Sequence, residues 1–144
     1  MIRFVNKIED IPEYPLSRII LIDDSLQSVR EVIDRIEQAL DAPYDGDNWD
    51  GFDEVLRDLQ WLKESRVVLI HKSLPRLTSW DLHIYLDILE VVAKPSNSTI
   101  EFDVYFLVDD KERIDFFLPG RFPLPEVKSK RAPATLPGDR KRFS

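Results

Sequence analysis

A chain of 144 residues with 43% apolar and 33% charged side chains can bury one self-sufficient core, and no apolar run approaches the roughly 20 residues of a membrane helix. Cysteine is absent, which removes disulfides and thiolate chemistry, and the N-terminus lacks the long apolar stretch of a secretion signal, so a reducing cytoplasm is the expected home. The net charge of −7 is uneven: residues 111–144 carry nine Lys/Arg against four Asp/Glu, while the first 110 carry 11 against 23. Such a body repels nucleic acid over most of its surface and attracts cationic proteins.

In chain order, residues 1–15 hold Phe4, Val5, Ile8 and Ile11 and are expected to pack on the body, an added edge strand being one way to do so. Arg18 to Asp24 reads as a buried strand, apolar on both faces as parallel strands are. Asp24 is placed to cap the next helix, with Gln27 in the reciprocal capping-box position. Leu26, Val29, Val32, Ile33, Ile36 and Leu40 then recur at helical spacing, and Ala42-Pro43 ends that helix. Asn48 is a good N-cap for a short helix in which Trp49, Phe52, Leu56 and Leu59 form one stripe, with Asp50, Asp53, Glu54 and Arg57 on other faces.

A second strand is predicted over Arg66–His71, followed by a capping box of Thr78 with Asp81 and a helix carrying Leu82, Tyr85, Ile88, Leu89 and Val92. Residues 94–98 form a loop, and Phe102 to Val108 form the third strand. The β-α-α-β-α-β order predicts an α/β fold, a small three-stranded parallel sheet packed with three to four helices. Residues 1–17 then form an N-terminal extension, 18–110 the domain, and 111–144 a basic, Pro-rich tail. Within the tail Ile114 to Leu118 has the apolar residues to dock, and the chain from Lys128 onward has a disordered composition.

The segment from Asp41 to Asp58 concentrates chemistry, with seven carboxylates (41, 45, 47, 50, 53, 54 and 58) against one base, Arg57. That density costs stability through self-repulsion. Asp50 and Glu54 lie one helical turn apart and project together, with Tyr44 and Asn48 just ahead on the loop. Rigid aromatics beside carboxylates suit an Arg-rich protein target. The same acids also suit the positive end of the helix dipole, so spacing alone leaves a solvated helix start as the other reading.

A calcium loop does not fit. Counted from Asp45, the sixth position is Asp50 instead of Gly and the twelfth is Leu56; counted from Asp41, Pro43 falls third and Phe52 twelfth, so neither register supplies the bidentate Glu. No metal or other cofactor is expected. His71 and His83 have no motif around them and read as packing or surface residues, and no phosphate loop, nucleophile elbow or zinc-ligand spacing is present. An enzyme is therefore not expected. Ile19 to Asp24 and Val67 to Pro75 resemble two strands of a response-regulator receiver domain, but His71 stands where the phosphoacceptor aspartate belongs.

With these residues laid out, the chain resembles the barstar family of intracellular ribonuclease inhibitors. The resemblance lies in an aromatic, then Gly-x-Asn-[Leu/Trp]-Asp-[Ala/Gly]-aromatic or Leu, at the entry to a short helix: Tyr44, Gly46, Asn48, Trp49, Asp50, Gly51 and Phe52. It continues through Asp58, Leu59, Trp61 and Leu62 into the strand at Arg66, and spans about Arg18 to Asp110. The resemblance implies a three-stranded parallel sheet and binding instead of catalysis, with the loop and helix plugging a nuclease active site where substrate phosphates would sit. It marks Tyr44, Asn48 and Asp50 as contact residues, with Glu54 at the position of the family's dominant aspartate and Asp53 at one that is aromatic in the best-known member. Val91 and Pro95 fall where that member has further acidic contacts. The partner so implied is a basic ribonuclease or related toxin, with no nucleic acid, membrane or small-molecule substrate. The altered contacts and the basic tail leave open a second reading, a non-enzymatic interaction module for a non-nuclease partner.

Overall fold

The structure, a computed structural model, describes residues 1–94 and 100–121. Four strands, β1 (Ile2–Val5), β2 (Ser17–Ile22), β3 (Arg66–His71) and β4 (Glu101–Leu107), pair in the order β1-β4-β3-β2, every pair parallel. The sheet therefore has four strands and not the expected three. The extra one is the N-terminal segment, which pairs Ile2 with Val104 and Val5 with Leu107 and so covers the open edge of β4.

Helices α1 (Val29–Ala39), α2 (Trp49–Asp58), α3 (Ser79–Val92) and α4 (Lys111–Phe117) complete the fold. Alternate strand residues Phe4, Ile20, Ile22, Val67, Leu69, Val104 and Phe106 form one cluster with the buried stripes of all four helices. Each parallel connection must cross over, and the crossover helices bury this face. The opposite face carries Val68, Ile70 and Tyr105 and is covered by Val5, Ile8, Ile11 and Tyr14 from the N-terminal segment. That cover stops short of β2. Ile19 and Leu21 are about half exposed, so β2 is an edge strand buried on one face and not on both.

The helix signals hold with one correction. Asp24 does not cap α1: Ser28 does, accepting from the Glu31 amide, while Glu31 reaches back to the amide of Gln27 at 2.7 Å. Asp23 takes the amide and hydroxyl of Ser25 instead, closing a turn that delays the helix by one turn. At its far end α1 stops before Ala42. Asp41 adopts a left-handed conformation (φ 53°), and the amides of Asp41 and Ala42 bond back to Gln38 and Glu37 in a Schellman arrangement. Thr78 caps α3 by accepting from the Asp81 amide, and α4 places Ile114 in the core. The expected disorder from Lys128 lies outside the described residues, as do Pro95 and the rest of 95–99.

Candidate partner-binding surface

The loop joining α1 to α2 is built around two glycines. A Cβ on Gly46 would lie 2.6 Å from the Phe52 amide nitrogen, and one on Gly51 would lie 2.6 Å from the Gly46 carbonyl carbon. The loop backbone thus lies directly on the first turn of α2, and only glycine at both positions permits that approach. Glu37, buried on α1, accepts the Gly46 amide through both carboxylate oxygens at 3.1 Å. Burial raises its pKa, opposed by that backbone hydrogen bond. Asp47 then turns the chain through a left-handed conformation (φ 58°), where short polar side chains are tolerated. Asn48 caps α2 through its side-chain oxygen, which accepts the Gly51 amide at 2.9 Å.

Most of the acidic residues here are engaged within the chain. Arg30 on α1 binds Asp34, Asp45 (2.7 Å) and Asp47 (3.2 Å). Arg18 binds Asp41 and Glu64, and also donates to the carbonyl of Ala39. Asp53 receives Nε of Arg57 on both oxygens, an i,i+4 pair on the α2 surface. Tyr44 donates its hydroxyl to Asp58 at 2.8 Å and sets its ring edge-on to Trp61 at 5.9 Å. That hydrogen bond to a carboxylate raises the Tyr44 pKa. Asp50 and Glu54 are exposed and hold no ion pair or side-chain hydrogen bond among the described residues.

All five expected residues thus lie on this loop and helix, in different states. Among the described residues Asp50 and Glu54 have no partner, Asp53 is half of an ion pair, Asn48 spends its oxygen on the cap, and Tyr44 is held in place while 43% exposed. Sequence reasoning missed the residues that hold the surface. Glu37 and Arg30 lie on α1, and nothing in helical periodicity says that either turns toward loop residues 9 to 17 positions away.

The helix itself is fixed from below by Trp49. Its indole donates to Asp81 of α3 at 3.1 Å and packs on Tyr85 at 5.9 Å between ring centres. Tyr85 in turn contacts His71, which is fully buried and stacked on Phe106. A carbonyl can only accept, so His71 Nδ1 carries the proton given to Tyr105 O (3.1 Å) and Nε2 accepts from Tyr85 O–H (2.7 Å). Burial pushes the His71 pKa down to about 3, so the ring is neutral, a packing residue as expected.

With this geometry in hand, the family can be assigned. A family model described as Barstar (barnase inhibitor) matches residues 18–111. The chain belongs to the barstar family. No curated protein and no solved structure matches the chain. The matched span starts inside β2 and ends at the first residue of α4, so it contains the whole loop-and-helix surface but not β1. No helix among the described residues is long and apolar enough to cross a membrane.

Proposed function

We propose that this barstar-family protein is an inhibitor of the immunity or antitoxin type. It binds a basic ribonuclease in the cytoplasm and blocks its active site with Tyr44, Asn48, Asp50, Asp53 and Glu54. The observation that carries this reading is the contrast between Asp50 and Glu54, one turn apart on α2 and without a partner among the described residues, and the flanking acids Asp45, Asp47, Asp53 and Asp58, each already engaged. A ribonuclease holds substrate phosphates with Arg, Lys and His. Two unspent carboxylates on a rigid helix replace those phosphates without first giving up a partner of their own. Asn48 keeps its amide NH2 to donate, Tyr44 offers a pre-positioned aromatic, and Asp53 arrives with Arg57 as a nearly neutral rim. No catalysis by this chain and no cofactor enters the reading.

Barnase is the natural probe. Wild-type protein is expected to abolish its RNA cleavage at equimolar concentration, with fast, salt-sensitive association. Truncating one carboxylate leaves partner cations buried and unpaired, about 2–5 kcal/mol each, a range set in part by a barstar-family complex. The Asp50→Ala/Glu54→Ala protein should therefore inhibit nothing at the same concentration. Undiminished inhibition by that variant would sink the assignment of the site.

One observation favours the second reading, a module for a non-nuclease partner. Val91 is 39% exposed where the resemblance leads one to expect an acidic contact, and the neighbouring Glu90 is bound by Arg121. Affinity capture from extract of the source organism separates the two, since a captured nuclease is lost from the double variant and an unrelated partner need not be.

A further inference from the structure

Helix α3 carries apolar residues on its outer side as well as its buried one, interspersed with Asp81, His83, Asp87 and Glu90. Leu82, Tyr85, Leu86 and Leu89 fill the core, yet Trp80 is 72% exposed and Val91 39% exposed, with Ile84 half-buried between them. Positions 80, 84 and 91 fall on one face at helical spacing, opposite the buried stripe. An exposed tryptophan is among the residue types most often found as a binding anchor. His83 stands edge-on to the Trp80 indole, 6.5 Å between ring centres. Asp87 falls on this same face between Ile84 and Val91, and Arg121 binds it at 2.6 Å and the buried Glu90 through both oxygens, offsetting one of their two negative charges.

The ridge adjoins the free carboxylates. The starts of α2 and α3 are joined by the Trp49–Asp81 hydrogen bond, and their ends share a cleft of about 190 Å³ lined by Leu56, Leu59, Val91 and Val92. The helices therefore run side by side in the same sense. Their outer faces look away from the sheet together, Asp50 and Glu54 on one and Trp80, Ile84 and Val91 on the other.

We infer that the partner surface of this protein is double, an acidic half on α2 and an apolar half on α3 with Trp80 as its anchor. Its occupant is a basic protein whose cationic site is bordered by an apolar patch. This rests on the inhibitor reading above and adds to it the feature that selects among basic partners. Charge assigns the occupant: a second copy of this chain would set Asp50 and Glu54 against their own like charges, whereas a cationic protein satisfies both halves at once.

The two halves differ kinetically. Carboxylates steer encounter and act on the association rate, whereas a buried indole acts on dissociation. With the full chain and barnase as probe, Trp80→Ala should raise the dissociation rate about 30-fold, as expected for a tryptophan anchor, and leave the association rate unchanged. Trp80→Phe should restore most of the affinity, and amide exchange in the wild-type complex should show protection at both residues 49–54 and 80–84. Protection confined to α2, with Trp80→Ala binding like wild type, overturns this inference and leaves the inhibitor reading standing. A wild-type dimer in sedimentation that Trp80→Glu dissolves also overturns it, because the ridge then belongs to a second copy. Failure of wild type to bind the nuclease removes both readings together.

Discussion

Gly46→Ala sets two physical effects against each other, and the structure decides the sign. Gly46 does not adopt a left-handed conformation, so alanine is allowed on backbone grounds, and a stiffer unfolded chain would stabilise the fold by about 0.4–1 kcal/mol. Against this, the added Cβ would sit 2.6 Å from the Phe52 nitrogen and 2.7 Å from the Gly51 carbonyl carbon, both main-chain atoms of α2 that cannot rotate away. Overpacking of this kind costs about 1–3 kcal/mol. The loop can escape only by lifting, which withdraws the Gly46 amide from the buried Glu37 carboxylate. Losing a hydrogen bond to a charged group costs about 1.5–3 kcal/mol more. The expected net loss is therefore about 2–5 kcal/mol in urea unfolding, with a slower and weaker encounter with barnase because Tyr44 and Asn48 move with the loop. A variant as stable as wild type would refute the argument that backbone contact with α2 holds the loop.

Three further outcomes follow from the same geometry. Arg57→Ala removes an exposed i,i+4 pair and should change stability by less than about 0.5 kcal/mol, yet it frees Asp53 and should speed association with a cationic partner several-fold in stopped-flow measurements at low salt. Tyr85→Phe deletes the hydroxyl that satisfies His71 Nε2 and should cost about 1–3 kcal/mol in urea unfolding, while the ring that Trp49 packs on is kept. Acid should destabilise the protein early: the unfolded chain protonates His71 near pH 6.5 and the folded chain only near 3, so stability present above pH 6.5 is lost as pH falls through that window, about 2 kcal/mol between pH 6.5 and 5. Glu37 works in the opposite sense, its raised pKa favouring the folded state as pH falls. Urea midpoints at pH 7 and 5 test this, and a wild-type loss no larger than that of His71→Gln would rule out the histidine as its source.

Elements with a local signal were legible in the sequence. The stripes of α1 and α2 and the caps at Asn48 and Thr78 depend on residues three or four apart, and the structure places them as read. Elements decided by distant pairing were harder to read. Composition makes an added edge strand only one way for residues 1–15 to pack, and it is pairing with the open edge of β4 that makes residues 2–5 a strand. The apolar run of β2 implied burial on both faces, but the covering segment crosses β3 and β4 and leaves Ile19 and Leu21 to solvent. At the site, residue types and spacing located the acids but not their partners. Arg57 four residues after Asp53 was visible, whereas Arg30 reaching Asp45 and Asp47 required knowing how the loop returns to α1.

The pairing of charges bears on why the acids are there. Exposed ion pairs contribute roughly 0–1 kcal/mol, so the Arg18, Arg30 and Arg57 clusters are weak sources of stability. Their effect is to relieve the repulsion of a crowded acidic segment, and they relieve it everywhere around Asp50 and Glu54 but not at those two residues. Compensation of the helix dipole accounts for Asp50, the second residue of α2. It does not account for Glu54, the sixth residue, because the dipole effect falls off within the first turn. A carboxylate one turn beyond that range, unpaired among the described residues on a helix with an arginine three residues away that pairs elsewhere, fits an interaction made outside the chain. Glu54 is thus the residue at which a purely structural account of the acidic face and a binding account part, and Glu54→Gln distinguishes them: stability should be unchanged while partner affinity falls at least tenfold.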